Sequence, residues 1–210
     1  MTYFLYGARG SGSCAIECAL AEIGAHYELR KLSLRNDEQR GTEYEAINPQ
    51  RKVPALVIDQ DQLLTESVAI LLTLDERHPD AGLLPPKGTA QRAHALRWLL
   101  FAATEIYPIV EINDYPERFA TDPARTEAMR ERAREIWRTR WLVVEANIAG
   151  DPYLSREGFT LTDIYLAVVS RWAQQNAWRP THIPKVERLT AAVAARPAIV
   201  PVWARHFRTP

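Results

Sequence analysis

The chain of 210 residues is 47% hydrophobic and 25% charged, which excludes disorder, a collagen-like fibre and a disulfide scaffold. Its 26 Lys and Arg balance 26 Asp and Glu, so its net charge favours no whole-chain affinity for nucleic acid or anionic membrane. The balance is uneven along the chain: residues 1–78 hold 8 basic and 12 acidic side chains, net −4, and residues 79–210 hold 18 and 14, net +4.

Thr2 to Tyr6 is rich in β-formers and stops at Gly7. Residues 7–13, GARGSGS, read as a small-residue loop, and Cys14 to Ile23 as a helix stopped by Gly24. Tyr27 to Leu32 reads as a second strand, and a short helix follows near Glu43 to Ile47. Ala55 to Ile58 and Gln62 to Leu64 read as strands joined by a turn at Asp59-Gln60-Asp61. Thr65 or Glu66 then opens an apolar helix that stops near His78-Pro79. Residues 79–88, PDAGLLPPKG, have the composition of a linker. Everything beyond reads as helix, including all six tryptophans and an amphipathic run from Arg125 to Ile148. The most apolar stretch, Leu96 to Ile112, is interrupted by Arg97, Glu105 and Pro108 and is too short to span a bilayer. No basic segment followed by a long apolar run opens the chain, and the expectation is a reduced, cytoplasmic protein.

Five segments stand out. Gly10-Ser11-Gly12-Ser13 lies between a strand and a helix, where exposed N–H groups and a partial positive charge suit an anion; the alternative is that Ser11 or Ser13 is an N-cap. Neither a P-loop nor a dinucleotide fingerprint is complete there. In Lys52-Val53-Pro54-Ala55-Leu56 a proline opens a strand. A cis bond would turn the N–H and C=O of Val53 outward toward an extended ligand, and a trans proline would simply start the strand. Thr65-Glu66-Ser67 opens a helix and serves a ligand, or is a capping box or a dipole-matched first turn. Thr160-Leu161-Thr162-Asp163 reads as a capping box, a folding device. The arginines at 130, 132, 134, 138 and 140 alternate with Glu127, Glu131 and Glu135, the pattern of a solvated helix face. Cys14 and Cys18 are four apart and read as packing residues, and the five histidines have no metal or triad spacing.

The order of these motifs is more specific than any one of them. A β-α-β unit with a hydroxyl loop, then NPxxKVPAL over Asn48–Leu56, then a strand pair, then Thr65-Glu66-Ser67, then a helical half carrying FTLTDIYLA, resembles the cytosolic glutathione transferases of bacteria over essentially the whole chain. The resemblance implies an α/β thioredoxin-like domain at 1–78, a linker at 79–88 and an all-α domain at 89–210. It implies a cis Pro54, glutathione as co-substrate, no metal, and a homodimer that takes a small electrophile. Val53, with Lys52 nearby, would pair with the glutathione backbone, and Glu66 and Ser67 would hold its γ-glutamyl end. Ser11 is the first candidate for the hydroxyl that activates the thiol, Ser13 the second and Cys14 the third. An electrophile would bind between the domains, against Ala8 and Arg9 of the loop and Tyr107, Val110, Glu111 and Tyr115 of the first long helix beyond the linker. Many relatives carry glycine where Arg51 stands, so the loop is expected to avoid positive φ here. A glutathione-dependent thiol–disulfide reductase using Cys14, or a non-catalytic binding module, are the other readings.

Overall fold

The computed structural model describes residues 2–59, 62–120, 122–173 and 177–207. The chain folds into two units, Met1–Leu83 with Ala194–Pro210, and Leu84–Val193.

The first unit is built on a four-stranded sheet in the order β2-β1-β3-β4. The strands are β1 (Tyr3–Gly7), β2 (Tyr27–Lys31), β3 (Ala55–Val57) and β4 (Leu63–Leu64). β1 runs parallel to β2, with Tyr3 opposite Tyr27, and antiparallel to β3, with Tyr6 opposite Ala55. β4 runs antiparallel to β3. Gln60 and Asp61, the centre of the turn read between β3 and β4, lie outside the described residues.

Helix α1 (Ser13–Ile23) joins β1 to β2 and is buried from Ser13 through Leu20, which explains its run of small and apolar residues. Cys14 and Cys18 are wholly enclosed in it as free thiols. Gly24 ends it in the left-handed conformation, φ 72°, a position that glycine takes at little steric cost. Helix α2 (Thr42–Ile47) precedes β3, and α3 (Ser67–Arg77) follows β4 and packs on α1 through an apolar face of Ile70, Leu71 and Leu74.

The carboxy-terminal segment belongs to this unit. Helix α10 (Val200–His206) packs on α1, and Arg196 forms a two-pronged ion pair with Glu22 at 2.7 and 2.8 Å. Bidentate pairs of this kind fix orientation as well as distance.

The second unit is helical: α4 (Ala90–Phe101), α5 (Tyr107–Asp114), α6 (Thr126–Asn147), α7 (Leu161–Ser170), α8 (Trp178–His182) and α9 (Pro184–Ala194). Trp98, Trp137 and Trp141 are fully buried in its core, and every residue of α7 is buried. Between α4 and α5 the chain passes through a π-helical turn, Ala102–Ile106, where the Tyr107 N–H reaches back to the Ala102 carbonyl. Pro108 accounts for it, since proline donates no N–H and its ring crowds the carbonyl four residues back. Arg140 donates to the Glu105 carbonyl of that turn and pairs with the Glu105 carboxylate at 2.9 Å. The interruption read at Glu105 and Pro108 is thus absorbed without ending the helical run.

The acid of the capping box closes the start of α7. Asp163 accepts the Thr160 N–H at 2.7 Å, the Thr160 hydroxyl at 2.9 Å and the Leu154 N–H at 2.8 Å. Burial pushes its carboxyl up to about 6 against the pull of those donors.

Candidate active site

The sheet register brings three segments of the first unit to one end. The loop after β1 begins there, and because Tyr6 pairs with Ala55, Pro54 enters β3 beside it. β4 is antiparallel to β3, so Thr65 and Glu66 leave the sheet at that same end. Helices α1 and α3 both start at this edge and direct their N-terminal partial charges toward it.

The loop is held from within. Ser11 is 9% exposed; its hydroxyl donates to the Ala8 carbonyl at 2.8 Å and accepts the Ser13 N–H at 3.2 Å. Ser13 is fully enclosed, with its hydroxyl 3.0 Å from that of Ser11 and 3.2 Å from both the N–H and the carbonyl of Ala8. Gly7 is required here, because a Cβ at that position would stand 2.5 Å from the Ser13 hydroxyl oxygen. Gly10 takes φ 70° and its N–H donates to Nδ1 of His206 at 3.1 Å.

That contact fixes the histidine. With Nδ1 accepting, Nε2 carries the proton and faces the Glu17 carboxylate at 2.5 Å. Arg205 donates to the other Glu17 oxygen at 2.9 Å. Burial alone would raise the Glu17 carboxyl; the hydrogen bonds from His206 and Arg205 overcome it and hold the group below its ordinary range. The sequence offered no signal for this clamp, since His206 and Gly10 are separated by 196 positions.

The Val53–Pro54 bond is cis. The Lys52 carbonyl just before it accepts from the Tyr44 hydroxyl and the Asn48 amide, both at 2.8 Å, so the segment is anchored by α2 and the turn after it. Arg51 departs from expectation. It adopts φ 55° in spite of its side chain and forms an ion pair with Glu45. The loop keeps its left-handed corner, and the cost falls on a residue with a Cβ.

Glu66 takes φ 62° and ψ 111°, is exposed, and does not cap α3 with its side chain. The capping alternative therefore does not account for it. Positive φ in a non-glycine residue is a form of strain that concentrates at functional sites. Ser67 follows as the first residue of the helix and is buried.

Cys14 is no substitute for the serines. It is fully buried, and burial together with Cys18 pushes its thiol well up, the opposite of what a thiolate nucleophile needs.

Of the residues read as an electrophile pocket, Ala8 (buried) and Arg9 (exposed) lie in the first unit. Tyr107, Val110, Glu111 and Tyr115 lie in the second. There the Tyr107 ring meets Trp172 with centroids 4.7 Å apart, and Val110 is buried. Glu111 accepts from Arg118 at 3.0 Å, and the Arg118 guanidinium lies 3.8 Å over the half-exposed Tyr115 ring. Trp172 was not anticipated; nothing local distinguishes it from the other five tryptophans.

Among the described residues no helix is long and apolar enough to cross a membrane, and no group of three or more His, Cys, Asp or Glu is placed to hold a metal ion.

Comparison with known proteins gives a consistent result. Residues 1–76 match the family model for the glutathione S-transferase N-terminal domain. The chain is 29% identical over 203 residues to an uncharacterized GST-like protein of Escherichia coli K12, covering 96% of this chain and 97% of that protein. It is 30% identical over 171 residues to a glutathione S-transferase of Xanthomonas campestris pv. campestris, covering 81% and 82%. A solved glutathione transferase homolog from Sulfitobacter, with bound glutathione, superposes with a TM-score of 0.89 at 29% identity and 97% coverage of both chains.

Proposed function

The chain belongs to the glutathione S-transferase family, and on that footing we propose that it binds glutathione at the shared edge of its sheet and transfers the thiolate to a small hydrophobic electrophile. The observation that carries this reading is the convergence of the Ser11 loop, the Lys52-Val53-Pro54 segment and the Glu66-Ser67 helix start at one end of the sheet. It has an exposed carboxylate, Glu66, for the γ-glutamyl ammonium, with Ser67 and the first N–H groups of α3 for the carboxylate beside it. Lys52 and the backbone of Val53 are offered to the cysteinyl-glycine end.

A free thiol has a pKa of about 8.5. A hydrogen bond to the thiolate is worth about 1.5–3 kcal/mol, and the α1 N-terminus adds about 0.3–2 kcal/mol. At about 1.36 kcal/mol per unit, the two bring the thiol to about 5–7. Ser11 is the donor in this scheme. Its proton rests on the Ala8 carbonyl, and Ser13, 3.2 Å from that same oxygen, takes over there when Ser11 turns toward sulfur. Ser13 is the supporting hydroxyl, being wholly enclosed.

Ala8, Arg9, Tyr107, Val110, Glu111 and Tyr115 are assigned to the electrophile. The same reading takes residues 1–78 as the glutathione-binding domain and 89–210 as the helical domain, joined by 79–88. It makes the protein a cytoplasmic homodimer with a role in detoxification. Light scattering then gives about twice 23.9 kDa.

Retention on immobilised glutathione and release by free glutathione test the binding. The thiolate absorbance of bound glutathione near 240 nm, titrated with and without Ser11→Ala, tests the activation. The expected rise in thiol pKa is about one unit or more, with kcat/KM at pH 6.5 falling about tenfold. An unchanged pKa and rate would move the role to another donor.

A further inference from the structure

The second unit carries a cavity of about 570 Å³ whose wall includes Asn113, Asp114, Arg130, Arg134, Arg171 and Trp172. Three guanidiniums against one carboxylate is an unusual wall, and they are not loose surface side chains. Asn113 is buried and organises two of them: its carbonyl accepts from Nε of Arg130 at 3.0 Å, and its side-chain oxygen accepts from Nε of Arg134 at 3.1 Å. Its amide donates to Asp114 at 2.8 Å, which ties the one wall acid into the same frame. Arg130 and Arg134 are one turn apart on α6, so both reach the same side of the helix.

Their charge is under-compensated nearby. Glu127 is shared: it sits 2.5 Å from Arg130 but 3.7 Å from Arg134. Glu187 is shared in the same way, 2.7 Å from Arg179 but 3.6 Å from Arg171. In each case one arginine of the cavity wall, Arg134 or Arg171, is held beyond hydrogen-bond distance of the shared acid. Burial and the neighbouring Arg179 charge pull the pKa of Arg171 down, which marks a cation in an environment that favours an incoming anion. Arg171 adjoins Trp172, whose ring packs on Tyr107.

We propose that this cavity receives the acidic group of the electrophile, so that the substrate class is an aromatic or unsaturated organic acid with its carboxylate between Arg134 and Arg171. The proposal rests on the conjugation reading above and narrows it from any small hydrophobic electrophile to anionic ones. Guanidinium forks match a carboxylate through two parallel hydrogen bonds, and the aromatic wall suits a planar body joined to it.

The test uses 4-chloro-3,5-dinitrobenzoate and its methyl ester. In both, the glutathione sulfur forms a bond to the ring carbon as the carbon–chlorine bond breaks and chloride leaves with the bonding pair. Each kcat/KM is divided by the uncatalysed rate with glutathione. The wild-type ratio of acid to ester is expected to exceed ten, and to fall at least tenfold in the double variant Arg134→Gln, Arg171→Gln. Arg134→Lys, Arg171→Lys keeps charge without the forks and is expected to lie between; it also serves if the glutamine pair folds poorly. A wild-type ratio near one, or a ratio that both double variants leave unchanged, overturns the proposal. If neither compound reacts, the conjugation reading fails instead. Calorimetry with 3,5-dinitrobenzoate, which has no leaving group, then decides the cavity alone: tighter binding than its methyl ester, lost in the glutamine variant, supports the anion site, and equal binding overturns it.

Discussion

The two units each contain a helix that begins on a Thr/Ser-and-acid motif, and the motifs do opposite things. At α7 Asp163 turns inward, is fully buried, and takes three donors from its own neighbourhood. At α3 Glu66 turns outward, caps nothing with its side chain, and sits at φ 62°. The first arrangement satisfies the orphan N–H groups of a helix start internally. The second leaves its acid directed to solvent at the cost of backbone strain, which supports its reading as a ligand site. Spacing alone does not separate the two; the direction of the acid does.

Removal of the inward acid has the greater cost. Asp163→Ala strands the buried N–H groups of Thr160 and Leu154, and a loss of about 2–4 kcal/mol is expected. At about 2–4 °C per kcal/mol for a chain of this size, calorimetry should find Tm lower by about 4–16 °C. Glutathione affinity at a temperature where the variant is folded should be unaltered.

Glu66→Ala should reverse that pattern. Calorimetric titration should show glutathione Kd raised about 10–100-fold, as for loss of a charge-assisted contact, with stability within about 1 kcal/mol of wild type. A large fall in Tm with intact glutathione binding would make Glu66 a folding residue like Asp163.

The buried acids of the two units should also respond oppositely to pH. Glu17, behind the Ser11 loop, is held below its ordinary 4.5, so it stabilises the fold above that value and the contribution disappears as the pH falls below it. Asp163 is raised from 3.8 to about 6, so its ionisation weakens the fold as the pH climbs from about 4 to about 6. Tm measured against pH should therefore fall less steeply on the acid side in Glu17→Gln, and its decline between about 4 and 6 should flatten in Asp163→Asn.

The smallest effect is expected at Arg51, a second positive-φ residue near the site. Arg51→Gly relieves a positive φ but loosens the unfolded chain and removes the Glu45 pair, so stability should stay within about 1 kcal/mol of wild type by urea unfolding. A loss well beyond that would show that the Arg51 side chain matters more than its backbone.

Much of this was legible in the residues themselves. Gly24, the Thr160–Asp163 turn, the strand order around Pro54 and the helical half beyond residue 88 follow from turn chemistry, capping and periodicity, all of which act over four residues or fewer. Arg51 shows the limit even at that range: its side chain argued for negative φ, and the anchoring of the Lys52 carbonyl by Tyr44 and Asn48 accompanies the opposite outcome. The arginines of α6 read as a solvated face because spacing along one helix says nothing about what stands opposite. Packing of α5 on α6 sets Asn113 against Arg130 and Arg134, and the end of α7 adds Arg171 to the same cavity. The clamp from His206 and Arg205 onto Glu17 and Gly10 is of the same kind. Local hydrogen bonds are encoded in neighbouring residue types, whereas contacts across 17 to 196 positions exist only once buried apolar surfaces have fixed which helices and loops meet.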